Sequence, residues 1–191
     1  MAARGSSVDA QRSLDTSLRP CKLAWAIVPP GRRTSSRIVP LSNLNEDFRD
    51  LLLELADADV DFVLVGAFAV AYHGVPRATG DMDVFVRPSP KNAKRVFDAL
   101  ASFGAPLASA GVTPGDFETP GIVYQIGQPP RRIDMLTEIS GVSFDEAWES
   151  RQRVNFEGRE VHFIGRDELL RNKEAVGRPK DLADVSRLRG N

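Results

Sequence analysis

The chain has 191 residues, 42% hydrophobic and 27% charged, with a formal net charge of −1. That length and composition predict one ordinary domain with one sizeable core, and the net −6 of residues 41–191 argues against broad phosphate-backbone binding. The single cysteine, Cys21, excludes an internal disulfide, and the longest apolar run, Phe62 to Tyr72, is too short to span a bilayer, so a cytoplasmic setting without membrane association is expected.

Residues 1–40 carry seven basic and two acidic side chains, against eighteen and twenty-four in residues 41–191. Ser, Arg, Gly and Pro recur through this first stretch without periodicity, and Pro29-Pro30-Gly31 interrupts it, so the reading is a disordered basic extension whose charges are solvated. Leu23 to Val28 is too short for the apolar part of a signal peptide, and Asp9 and Asp15 stand where such a peptide is basic. No export signal is expected.

Order begins near Asn45. Phe48, Leu51, Leu52 and Leu55 recur at spacings of three and four, which predicts an amphipathic helix capped by Asn45. A turn over Asp57 to Asp61 leads into the most informative stretch, DFVLVGAFAVAYHGVPRATGDMDVFVR, from Asp61 to Arg87. It reads as a strand from Phe62 to Val65, a Gly66-Ala67 turn opening a helix to His73, a loop to Gly80, and a second strand headed by Asp81-Met82-Asp83. A helix that opens right after a strand presents unpaired backbone N–H groups and its positive dipole end, which is a seat for phosphate. Asp81 and Asp83 are two apart on a strand, so they share a face at about 6.5 to 7 Å. At an effective dielectric near 20 they repel by about 2.4 kcal/mol. A divalent cation relieves that repulsion, whereas an isolated acidic pair is a solvated turn.

Beyond Pro88-Ser89-Pro90, the residues Ala93, Val96, Phe97 and Leu100 predict a helix that Gly104-Ala105-Pro106 ends. Leu107 to Pro120 reads as a loop-rich connector and Ile122 to Ile126 as a short strand. After a Gly127 to Pro130 turn, Arg131 to Leu136 reads as the next strand, with Ile133 and Met135 on one face and Arg132, Asp134 and Leu136 on the other. An ionised carboxylate in an apolar strand needs a partner. Two candidates stand: an ion pair with Arg131 or Arg132, or a metal shared with Asp81 and Asp83.

Ser143 is a plausible cap for a helix over Phe144 to Trp148. Gln152 to Phe156 and Arg159 to Ile164, joined by Glu157-Gly158, read as a hairpin with Val154, Phe156, Val161 and Phe163 inward. Asp167 opens a helix through Lys173, Gly177-Arg178-Pro179 breaks it, and Pro179 starts the last helix. His73 and His162 lack Cys or His partners at zinc spacing and read as structural.

A glycine at a strand-to-helix turn, a downstream D-x-D on a strand and a third Asp on a later strand resemble the nucleotidyltransferase superfamily with the polymerase-β-like catalytic core. The small bacterial members grouped with the AbiEii toxins are the nearest pattern. Members often close with K-x-A followed by K-D-x-x-D, and Lys173, Lys180, Asp181 and Asp184 stand in those positions. The resemblance spans roughly Phe48 to Leu188. It implies an α/β (α+β) nucleotidyltransferase fold over residues 41–191, a mixed central sheet flanked by helices. It also implies two Mg²⁺ ions held by the catalytic Asp81, Asp83 and Asp134, with a nucleoside triphosphate seated over Gly66 and Ala67 and its phosphates countered by Lys173 and Lys180. The reaction implied is nucleotidyl transfer to an RNA end, a protein or a small molecule, and the partner implied is a small antitoxin. The residue after the turn glycine is often Ser in that superfamily, whereas here it is Ala67. A catalytically weak binding protein that keeps the same fold is the alternative expectation.

Overall fold

The computed structural model describes residue 41, residues 44–76 and residues 79–190; the extension expected over residues 1–40 lies outside these. Local sequence signals set most element ends. The first helix, α1 (Glu46–Asp57), is capped by Asn45, whose side chain accepts from the Phe48 N–H at 2.8 Å, and it buries Phe48, Leu51, Leu52 and Leu55. Strand β1 (Phe62–Leu64) follows, then the seven-residue helix α2 (Gly66–Tyr72), strand β2 (Asp81–Val86) and helix α3 (Pro90–Phe103), which ends on Gly104 in the left-handed conformation.

The stretch expected to be a loop-rich connector holds two short elements, α4 (Leu107–Ala110) and a 3₁₀ turn over Pro114–Glu118. What fixes the second is a capping box, with Thr113 N–H donating to Asp116 at 2.7 Å, and a single aromatic anchor, Phe117, with no exposed surface. Strands β3 (Val123–Ile126) and β4 (Arg132–Leu136) come next, followed by α5 (Phe144–Glu149). Ser143 and Glu146 form the capping box that starts α5. The Ser143 N–H, together with Arg171, holds the Glu146 carboxyl down at about 2. The hairpin of β5 (Gln152–Phe156) and β6 (Arg159–Phe163) turns at Glu157 and Gly158, both at positive φ, and α6 (Arg166–Val176) and α7 (Pro179–Arg189) complete the chain.

The strands make one six-stranded mixed sheet in the order β3-β4-β2-β1-β6-β5. The pairs β2/β4 and β1/β6 are parallel, and the other three are antiparallel. This is the mixed helix-flanked sheet that the sequence predicts. Alternation along β2 sends Met82, Val84 and Val86 to one face and Asp81, Asp83 and Phe85 to the other. Phe144 of α5 meets Phe85 edge-on at 5.0 Å, so α5 packs on that face toward the C-terminal end of β2, and Arg171 of α6 reaches back to Glu146 of α5 at 2.8 Å. Tyr72 of α2 stacks on Phe163 at 4.4 Å, and Phe163 is the register neighbour of Leu64. Because β1 runs antiparallel to β2, the C-terminal end of β1, the start of α2 and the N-terminal ends of β2 and β4 all meet at one edge of the sheet.

Phe117→Ala is expected to remove about 3 to 5 kcal/mol of stability, the cost of an aromatic-sized hole in a close-packed core. Leu182→Ala, at a position 48% exposed, is expected to stay within about 0.5 kcal/mol. Urea denaturation of the two variants checks both values.

Candidate active site

The parallel register of β2 and β4 sets Asp83 directly opposite Asp134 and Asp81 directly opposite Arg132. Paired residues on neighbouring strands point to the same face, so the four side chains form a two-by-two patch at the sheet edge. Asp134 is only 7% exposed. Its two oxygens accept from the fork of Arg132, Nε to Oδ1 at 2.7 Å and Nη2 to Oδ2 at 2.9 Å. The same Nη2 donates to Asp81 Oδ2 at 3.0 Å, and Gln125 on β3 adds a bond to Asp134 Oδ1 at 3.2 Å. Arg132 thus bridges the first and third aspartates, a partner the sequence offers for Asp134 but not for Asp81.

Asp83 stands differently. Among the described residues no side chain or N–H donates to its carboxylate. Burial pushes its carboxyl up, and the charges of Asp134 and Asp81 push it further, against a smaller pull from Lys173 and Arg132. Its backbone carbonyl accepts from Val65 N–H at 3.0 Å, which ties β2 to the entry of α2. Its side chain lies against Gly66, which has φ +61°, and a Cβ there would overlap the Asp83 carboxylate. The glycine expected to seat phosphate therefore also makes room for the middle aspartate. Ala67 follows it with its side chain buried in the core. Gly80, just ahead of Asp81, is held as closely: a Cβ there would sit 2.5 Å from the carbonyl oxygen of Pro130 in the turn before β4.

The two candidate lysines part company. Lys173 is 5% exposed, and its ammonium lies 2.8 Å from Asp181 and 3.0 Å from Asp184, both on α7 and both buried. Arg178 adds a second bond to Asp181 at 2.6 Å, and together these cations hold the Asp181 carboxyl below the usual range despite its burial. The K-x-A and K-D-x-x-D segments are thus two halves of one buried ion cluster that fastens α6 to α7. Lys180, next in sequence to Asp181, is exposed. The histidines take structural roles: His73 Nε2 bonds the Ile164 carbonyl at 2.8 Å, and His162 Nε2 pairs with Glu160 at 2.8 Å.

Chemically the patch is a set of hard oxygen donors with one member crowded and desolvated, which suits a divalent cation of the Mg²⁺ type. As the side chains stand, no group of three Asp, Glu, His or Cys among the described residues is gathered around a metal position, and Arg132 is the cation that Asp81 and Asp134 share. Two surface cavities of about 450 and 400 Å³ lie elsewhere, one beside Asp61, Trp148 and His162 and the other beside Phe85, Thr137 and Phe144, and neither includes an aspartate of the trio.

Two outcomes are expected of the metal-free protein. Because the Asp83 carboxyl is raised in the folded state, that state binds more protons than the unfolded chain from the ordinary carboxylate range up to the raised value, and stability from this group falls as pH rises through that window. Asp83→Asn should therefore melt at or above the parent temperature at neutral pH in EDTA, with the gap closing below about pH 4; melting curves from acid to neutral pH measure it. Lys173→Met strips a shared counter-ion from two buried carboxylates and should cost about 3 to 5 kcal/mol in urea denaturation. Lys180→Ala, on the surface, should leave the urea midpoint unchanged.

No protein-family model matches the chain and no curated protein matches it in sequence, so the reading of this site rests on the residues and distances above.

Proposed function

We propose that this protein is a divalent-metal-dependent nucleotidyltransferase that moves a nucleoside monophosphate from a nucleoside triphosphate to an acceptor hydroxyl. The observation that carries the reading is the in-register pairing of Asp83 with Asp134, with Asp81 on the same face and the Gly66 turn alongside. Three carboxylates on one patch, one of them half-buried with no donor among the described residues, are costly unless more positive charge arrives during function. Asp81, Asp83 and Asp134 would hold Mg²⁺, which when bound supplies Lewis-acid stabilisation to the entering and leaving oxygens of an in-line displacement at phosphorus.

The protein's own contribution is position and charge. The first N–H groups of α2, at Gly66 and Ala67, have no intrahelical partner, and in this reading they receive the triphosphate. In the reaction the acceptor hydroxyl gives up its proton to solvent, its oxygen forms a bond to the α-phosphorus, the bond from that phosphorus to the bridging oxygen breaks, and pyrophosphate leaves with the electron pair. Lys173 adds positive potential beneath the carboxylates, acting from within its pair with Asp181 and Asp184. Lys180 is free of the core and suited to a pyrophosphate that reaches solvent. The acceptor is an RNA end, a protein or a small molecule, and a small antitoxin is the partner the family pattern suggests.

A specific observation favours the competing reading, a binding protein with a vestigial site: Arg132 already pairs with two of the three carboxylates, and Ala67 offers no hydroxyl to a phosphate oxygen. The two readings part on one substitution. Asp83→Asn keeps side-chain size and removes a charge, and should cost at least about 3 kcal/mol of transition-state stabilisation, more than a hundredfold in rate. The assay is Mg²⁺-dependent transfer of label from each of the four triphosphates to total RNA and to lysate. A parent protein inert in every combination would sink the enzyme reading.

A further inference from the structure

We infer that Arg132 is an exchangeable cation: it holds Asp134 and Asp81 in the resting protein, yields them to a divalent metal, and then pairs with the phosphates of the incoming nucleotide. The inference rests on the metal-site reading above and adds a role for a residue outside the aspartate trio.

The geometry behind it is a matter of occupied oxygens. Both oxygens of Asp134 and Oδ2 of Asp81 already accept from the guanidinium, at 2.7, 2.9 and 3.0 Å. A metal ion binding to either carboxylate competes with charge-assisted hydrogen bonds, two of them in the bidentate arrangement that is strongest for arginine. Asp83 offers no such obstacle among the described residues: its carboxylate packs against the Gly66 backbone, and no described residue donates to it. Among the described residues, the metal therefore meets Asp83 without a hydrogen-bonded cation and the other two with one.

Arginine cannot discharge by losing a proton. Once displaced, its guanidinium needs another anion within reach of a side chain that is 28% exposed at the sheet edge. A polyphosphate is the anion whose geometry its fork matches, and the nucleotide delivers one to the same edge. Metal and nucleotide each remove the obstacle to the other. The metal frees the guanidinium, and the phosphates accept it.

This arrangement makes a signature of opposite signs for Arg132→Gln. Manganese chloride, used as the calorimetric probe in place of Mg²⁺, should bind the full-length variant about tenfold or more tightly than the parent, because the competing charged hydrogen bonds are gone. The manganese complex of a triphosphate analogue with a methylene bridge between the α- and β-phosphorus should instead bind the variant about tenfold or more weakly, because the phosphates lose their guanidinium. Arg132→Lys, a point charge that cannot span both oxygens of Asp134 and Asp81 together, should bind manganese more tightly than the parent while keeping most of the affinity for the complex. It carries the comparison if the Gln variant does not fold. Equal manganese affinity in parent and variants would overturn the exchange while leaving the aspartates as a metal site, and so would a loss of affinity in both arms. Failure of parent and variants alike to bind manganese would overturn the metal site and the exchange with it.

Discussion

Parallel pairing of β2 with β4 in one particular register is the constraint on which the rest of the site depends. A slip of one residue would turn Asp134 to the opposite face and put Ile133 beside Asp83. The register is secured on the apolar side by Met82, Val84, Ile133 and Met135, all buried, so the hydrophobic pattern of one face fixes the charge pattern of the other. The core thereby supplies the force that holds like charges together. Repulsion of a few kcal/mol between carboxylates is affordable when four apolar side chains, each contributing about 1.5 to 3 kcal/mol on full burial, oppose the slip that would relieve it.

Positive charge reaches this patch from two directions with different mobility. Lys173 comes from α6 and is locked: buried, and shared between Asp181 and Asp184. Breaking such a pair leaves uncompensated charge in the core, so it behaves as part of the frame. Arg132 comes from the sheet itself and sits partly in solvent, its side chain 28% exposed against 6% for that of Lys173. Asp83 lies between them with neither as a direct partner. Position in the fold, more than residue type, thus separates the buried cation from the partly exposed one.

Much of this was legible in the sequence because it is written in short periods. Spacings of three and four at Phe48, Leu51, Leu52 and Leu55 gave α1, alternation at Val154, Phe156, Val161 and Phe163 gave the hairpin, and Asp81-Met82-Asp83 gave the shared face. The 3₁₀ turn at Pro114–Glu118 was not legible, since five residues hold no period and the element depends on Phe117 finding a buried slot. The ion pair between Arg132 and Asp134, two apart on one strand, stood among the readings of the sequence; the bridge from Arg132 to Asp81, across 51 residues, could not. The same limit hid the burial of Lys173. On a helix of mostly polar residues nothing marks it as buried, and only the docking of α7 brings Asp181 and Asp184 over it.

The central claim, that Asp81, Asp83 and Asp134 together receive a divalent cation beside Gly66, is tested most directly by paramagnetic broadening of backbone amide signals on titration with Mn²⁺ at low stoichiometry. The account predicts that the amides of Gly66, Ala67, Met82, Asp83 and Asp134 broaden first and as a group. Broadening that begins instead at surface carboxylates such as Glu157 or Asp98, with those five amides among the last to respond, would contradict it.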